Sequence, residues 1–232
     1  MAKSKDMQAA IEWFKGQFAD PINAAVEREP FDLDFLTAIA IQESYEVWGR
    51  AYKIKTPSEV LRLCVGDILD ASGGRNPHAF PQSRAVLERA PRGTEMFKIA
   101  RQALEDMAEV ATEYKKYLKN KNKFCHAFGI FQYDIQAFTH DQDYFVNREW
   151  GDFSKCLGKC LMELHSSWGR TYPNKKKLSD KEMVYVAIAY NQGHADTNKS
   201  FKQGFKGKGD TKYYGEYIWD YMQLSKDISV TA

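Results

Sequence analysis

The sequence predicts a mainly α-helical protein, and three observations predict it. Apolar residues recur every three or four positions in segment after segment, helix-start signals precede several of these segments, and no convincing run alternates apolar with polar residues as a half-buried strand would. A length of 232 residues suffices for one well-buried domain, and 44% hydrophobic with 28% charged residues places the chain among ordinary globular proteins.

In chain order, Met7, Ala10, Ile11, Phe14 and Phe18 predict an amphipathic helix over residues 7–19. Asp32 and Asp34 follow Pro30, put negative charge at a helix start, and open a helix over 32–45 bearing Leu36, Ile39, Ala40 and Glu43 on one stripe. Thr56-Pro57-Ser58-Glu59 opens a helix expected over 57–70, and the Gly/Pro-rich Ser72–Pro77 segment reads as a turn. A long helix over 94–119 carries Phe97, Ala100, Leu104, Met107, Ala111 and Tyr114. Phe153, Cys156, Leu157, Cys160, Leu161, Leu164 and Trp168 form the stripe of a helix over 152–168. Ser179 and Glu182 make a capping box for a helix over 179–192 that Gly193 is placed to end, and a last helix covers 213–225. No solenoid-length repeat or low-complexity linker divides the chain.

Three short segments carry the chemistry. Ile41-Gln42-Glu43-Ser44 ends the second helix with a carboxylate on its apolar stripe, a position that desolvates the group and raises its pKa toward that of a general acid. In Phe128-Gly129-Ile130-Phe131-Gln132-Tyr133-Asp134, glycine permits tight backbone and close approach of a ligand, and Gln132 offers an amide donor and acceptor. Ala189-Tyr190-Asn191-Gln192-Gly193 puts a phenol and an amide in the last turn of a helix.

In this order the three segments resemble the active-site signature of the lysozyme-like lytic transglycosylases, a superfamily that includes the goose-type lysozymes. Asp210-Thr211-Lys212-Tyr213-Tyr214 is similar to a weak version of a further family segment, Glu-Thr-Arg-x-Tyr, with aspartate in place of glutamate. The resemblance implies a lysozyme-like helical domain spanning 1–232 and cleavage of the β-1,4 bond between amino sugars of peptidoglycan. Glu43 would be the catalytic acid and base, with Ser44, Gly129, Ile130, Phe131, Gln132, Tyr190 and Asn191 around the substrate. About 85 residues separate Glu43 from Gly129, where compact relatives have a short connection, so a helical insertion over about 50–123 is expected.

In lytic transglycosylases one carboxylate serves both half-reactions, whereas a hydrolase commonly adds a second. Asp134, Asp67 and Asp70 are the candidates for that second group. Chitin or chitosan as substrate, and a non-catalytic glycan-binding role, stand as alternative readings.

No cofactor or metal is expected, since His126 and His165 stand as isolated candidates. Cys64, Cys125, Cys156 and Cys160 read as core residues, with a bridge from Cys64 or Cys125 the exception an oxidising compartment would favour. A net charge of +2 gives no general argument for nucleic acid. The basic stretches Lys115–Lys123 and Lys199–Lys212 carry no nucleic-acid motif and read as solvated faces, with a grip on an anionic glycan or a membrane surface the alternative for the second.

The first residues do not resemble an export signal, and no apolar run is long enough to span a bilayer. Action on cell-wall glycan then implies export without an amino-terminal signal, injection into a rival cell, or phage lysis. An antibacterial effector of that kind would have an immunity or inhibitor protein as partner.

Overall fold

The structure, a computed structural model, describes residues 2–68 and 80–229. It is mainly helical, as the sequence predicts, with ten α-helices and one small sheet among the described residues. Asp70 and the Ser72–Pro77 turn lie outside the described residues. The chain divides into two compact units, Met1–Glu43 with Leu157–Ala232, and Ser44–Cys156.

The first unit contains α1 (Ala2–Val26), the opening of α2 (Leu33–Ala51), most of α8 (Phe153–Thr171), α9 (Asp180–Gln192) and α10 (Tyr214–Lys226). Asp32 starts α2 as expected: its Oδ1 accepts from the Phe35 amide at 2.8 Å, satisfying one of the amides a helix start leaves open. Phe14, Ile22, Phe35, Leu36, Ile39, Leu164, Val184, Ala187, Ile188, Ile218 and Met222 are buried and supply the apolar area that drives assembly. α10 packs on α9 and α1. Gly215 permits the first of these contacts, because a Cβ there would lie 2.6 Å from Ile188 Cδ1 and 2.7 Å from the Phe201 carbonyl.

A buried lysine ties α1 to the end of α10. Lys15 Nζ donates to the Ser225 carbonyl at 2.6 Å and the Ile228 carbonyl at 2.8 Å, and pairs with Asp34 at 2.7 Å. Its three donors are thereby satisfied, the condition for burying an ammonium. His165 is likewise partnered within this unit, 3.0 Å from Glu29.

The second unit is built on α5 (Gly93–Val110), whose face of Met96, Phe97, Ala100, Leu104 and Met107 is buried. Against α5 pack α3 (Pro57–Leu63), α4 (Arg84–Arg89), α6 (Lys115–Leu118), α7 (Gln142–Val146) and the antiparallel sheet β1 (Val65–Ile68), β2 (Cys125–Phe128), β3 (Tyr133–Asp134). Phe128 meets Trp150 at 4.8 Å, and Tyr133 stacks on Phe145 at 5.5 Å.

Two expected helices are shorter than the periodicity predicts. The helix over 57–70 starts with its Thr56–Glu59 capping box but ends at Leu63, and Val65–Ile68 is a strand. Val65 pairs with Phe128 and Gly66 with Ala127, so long-range pairing of a β-branched residue and a glycine overrides the local pattern.

The helix over 94–119 breaks at Ala111, whose φ of −105° and ψ of 76° are not helical, and resumes as a 3₁₀ turn and α6. Arg101 holds the chain after this break: its guanidinium donates to the carbonyls of Leu118, Asn120 and Lys123 at 3.0, 2.8 and 3.2 Å. The short α4 and α7 span too few residues for periodicity to reveal them.

Candidate active-site residues

Glu43 lies on the helix α2 stripe and is half-buried. Its Oε1 accepts the Tyr214 hydroxyl at 2.6 Å. Burial pushes the Glu43 carboxyl from its ordinary 4.5 up to about 7, and the Tyr214 bond, which favours the carboxylate, offsets part of that rise. Tyr214 is itself buried, and burial beside Glu43 holds its phenol well above its usual value, so it stays a donor. The pair provides a carboxyl group able to give and take a proton near neutrality. Tyr214 is the residue that sequence reasoning undervalued; its signal was the final tyrosine of Asp210-Thr211-Lys212-Tyr213-Tyr214.

Tyr190 and Asn191 occupy the last turn of α9, which Gly193 ends with a φ of 86°. Asn191 is not simply presented to solvent. Its Oδ1 accepts the Phe205 amide at 2.8 Å, while Gln192 Oε1 accepts the Gly204 amide at 3.2 Å. The two amides therefore brace the 199–212 loop. Phe201 packs that loop onto Tyr185 and Trp219 at 5.2 and 5.5 Å, and Phe205 stands exposed.

In the second unit the Gly129–Gln132 turn is fixed from several sides. Ser44 is buried, and its hydroxyl donates to the Ile130 carbonyl at 2.7 Å. Gly129 has a φ of 85°, and a Cβ on it would overlap Cys156 Sγ. Gln132, itself at a φ of 55°, donates its side-chain amide to the Gly129 carbonyl at 2.7 Å. Gly66 completes the turn: a Cβ there would lie 2.5 Å from Gln132 Oε1, a requirement no local sequence pattern signals.

Ile130 and Phe131 are buried as whole residues, Phe131 against Phe153 at 6.0 Å. Ser44 acts by bracing the turn through its hydrogen bond. All four cysteines are buried and none is in a disulfide, so no bridge forms from Cys64 or Cys125.

Asp134 caps the following 3₁₀ turn, accepting the Gln136 amide at 2.7 Å, and burial raises its carboxyl above the usual range. It converges with Asp67 and His126: one potential ligand atom of each lies within 4.8 Å of the others. His126 is therefore not the isolated residue the sequence suggests, and burial lowers its pKa, which keeps the imidazole neutral.

Comparison with protein-family models, with curated proteins and with solved structures gives no match. No helix among the described residues is long and apolar enough to cross a membrane.

Proposed function

We propose that this protein is a lysozyme-like glycosidase that cleaves β-1,4 bonds in peptidoglycan glycan strands, as a lytic transglycosylase or a muramidase, with Glu43 as general acid and base. The observation that carries the reading is the Glu43–Tyr214 pair: a desolvated carboxyl, shifted to about 7 and oriented by one short hydrogen bond. A protonated Glu43 donates to the glycosidic oxygen of the departing sugar as positive charge grows on the other ring, then recovers a proton in the second half-reaction. The Gly129–Gln132 segment supports the same reading through its resemblance to the second of the family's three motifs.

Action on this polymer puts the protein's work at the cell wall, as an antibacterial effector or a phage endolysin. A transglycosylase passes the second half-reaction to the substrate's own 6-hydroxyl and needs no second carboxylate.

The test is mass spectrometry of soluble fragments released from purified peptidoglycan by the wild type and by Glu43→Gln. Anhydro-muropeptides lost in the variant establish a lytic transglycosylase, and reducing-end muropeptides lost in the variant establish a hydrolase. Absence of fragments with the wild type, alongside release of chitin oligomers, would move the substrate to chitin.

A further inference from the structure

The three strands of the small sheet each contribute one metal-ligating side chain to a single cluster: Asp67 from β1, His126 from β2 and Asp134 from β3. The β1–β2 register runs from Val65 opposite Phe128 to Ile68 opposite Cys125, which leaves Asp67 facing His126. Asp134 pairs with Ala127, the neighbour of His126. Sheet pairing, which fixes backbone register tightly, thus holds the cluster together.

His126 supplies the decisive observation. It is 6% exposed, its Nε2 is buried without a hydrogen-bond partner, and the imidazole bonds the Pro81 backbone. Nε2, without a partner, is the nitrogen left to the carboxylates. Fixing one ring nitrogen on a backbone carbonyl while the other presents a lone pair is the arrangement metal-ligating histidines adopt. A buried acceptor with no donor in reach is costly, and a cation would remove that cost.

We propose that Asp67, His126 and Asp134 form a three-ligand site for a divalent cation of the zinc or manganese class. Three donors about 2.1 Å from one ion lie about 3–4 Å apart, so atoms within 4.8 Å of one another need only a small side-chain rotation to close on it. Asp67 is exposed and can make that movement, and its exposure gives the ion a route in. Two carboxylates balance the charge of a divalent ion. The imidazole favours a transition metal over calcium or magnesium, which prefer oxygen ligands alone. Three protein ligands leave at least one coordination position for water. The site is independent of Glu43 chemistry, so it stands or falls apart from the glycosidase reading.

The test is isothermal titration of the full-length, chelator-treated protein with zinc chloride and with manganese chloride, together with the absorption spectrum of the cobalt-substituted protein. One equivalent of either ion should bind to the wild type, and Asp67→Asn and Asp134→Asn should each weaken binding at least about tenfold. Asn keeps the Gln136 cap at position 134, and at the exposed position 67 it tolerates the φ of 48°, so both variants should retain the wild-type circular dichroism. Zinc should raise the melting temperature of the wild type and leave that of Asp67→Asn unchanged. No saturable binding of either ion, equal affinity in both variants, or thiolate-to-cobalt charge transfer assigning the metal to the cysteines would each overturn the proposal.

Discussion

The Tyr214 hydroxyl donates to Glu43 Oε1 at 2.6 Å, joining the first turn of α10 to a carboxyl 171 residues earlier in the chain. Burial raises the proton affinity of that carboxyl, and the hydrogen bond lowers it. The balance of the two sets where Glu43 titrates, so the pair can be tested through pH.

Activity on peptidoglycan should fall as pH rises through about 7, where Glu43 loses the proton it donates. Tyr214→Phe removes the bond that favours the carboxylate, so this limb should move to higher pH. The pH dependence of kcat/KM for the two proteins checks the sign; a limb that moves downward contradicts this account. Glu43→Gln should lose roughly a thousandfold in rate at pH 6.

Glu43→Gln should also be more stable than the wild type at neutral and alkaline pH. The folded pKa of about 7 exceeds the ordinary 4.5, so stability linked to this proton is complete below 4.5 and is lost as pH rises through 7. The stability gap between variant and wild type should open between these values and level off above them at about 3 kcal/mol. Urea denaturation at pH 4 and pH 8 measures it, and an equal gap at both pH values would exclude the linkage.

Gly129→Ala should destabilise the protein by about 2–4 kcal/mol, because it adds left-handed strain to a contact with buried Cys156. Cys156→Ala in the same chain should recover the part due to the contact and leave the part due to backbone conformation. Thermal denaturation of the single and double variants separates the two.

Lys15→Met should cost about 3 kcal/mol, since it removes the ammonium donor from the Ser225 and Ile228 carbonyls and leaves Asp34 without its cation. The Ser225 hydroxyl still donates to Asp34 at 2.7 Å, so adding Ser225→Ala should deepen the loss. Chemical denaturation of both variants gives the comparison.

Asn191→Ala should release the 199–212 loop without unfolding α9, since the lost acceptor serves the Phe205 amide on the surface. Hydrogen exchange at Phe205 should accelerate while the Val184 and Ile188 amides keep their protection.

Features set by neighbours in the chain were legible in the sequence. Asp32, Thr56 and Ser179 start their helices and Gly193 ends one, because capping depends on residues within one turn. The buried face of α5 was equally legible from its spacing. Strand β1 was not, since Val65 and Gly66 adopt that conformation through partners some sixty residues away. The Glu43 carboxyl could be placed from helical spacing, but Tyr214 could not be paired with it. Similarly, nothing local marks Ile130 and Phe131 as buried, or brings His126 to Asp67 and Asp134.

The Lys15 ammonium has a consequence for synthesis. Two of its partners are the carbonyls of Ser225 and Ile228, so a ribosome releases α1 long before the atoms that accept its buried charge exist. The unit containing Glu43 needs residues from both ends of the chain, whereas Ser44–Cys156 is contiguous and can fold while translation continues. Nascent protein would therefore carry a finished middle while the Glu43 carboxyl still awaits Tyr214, the residue that donates to it.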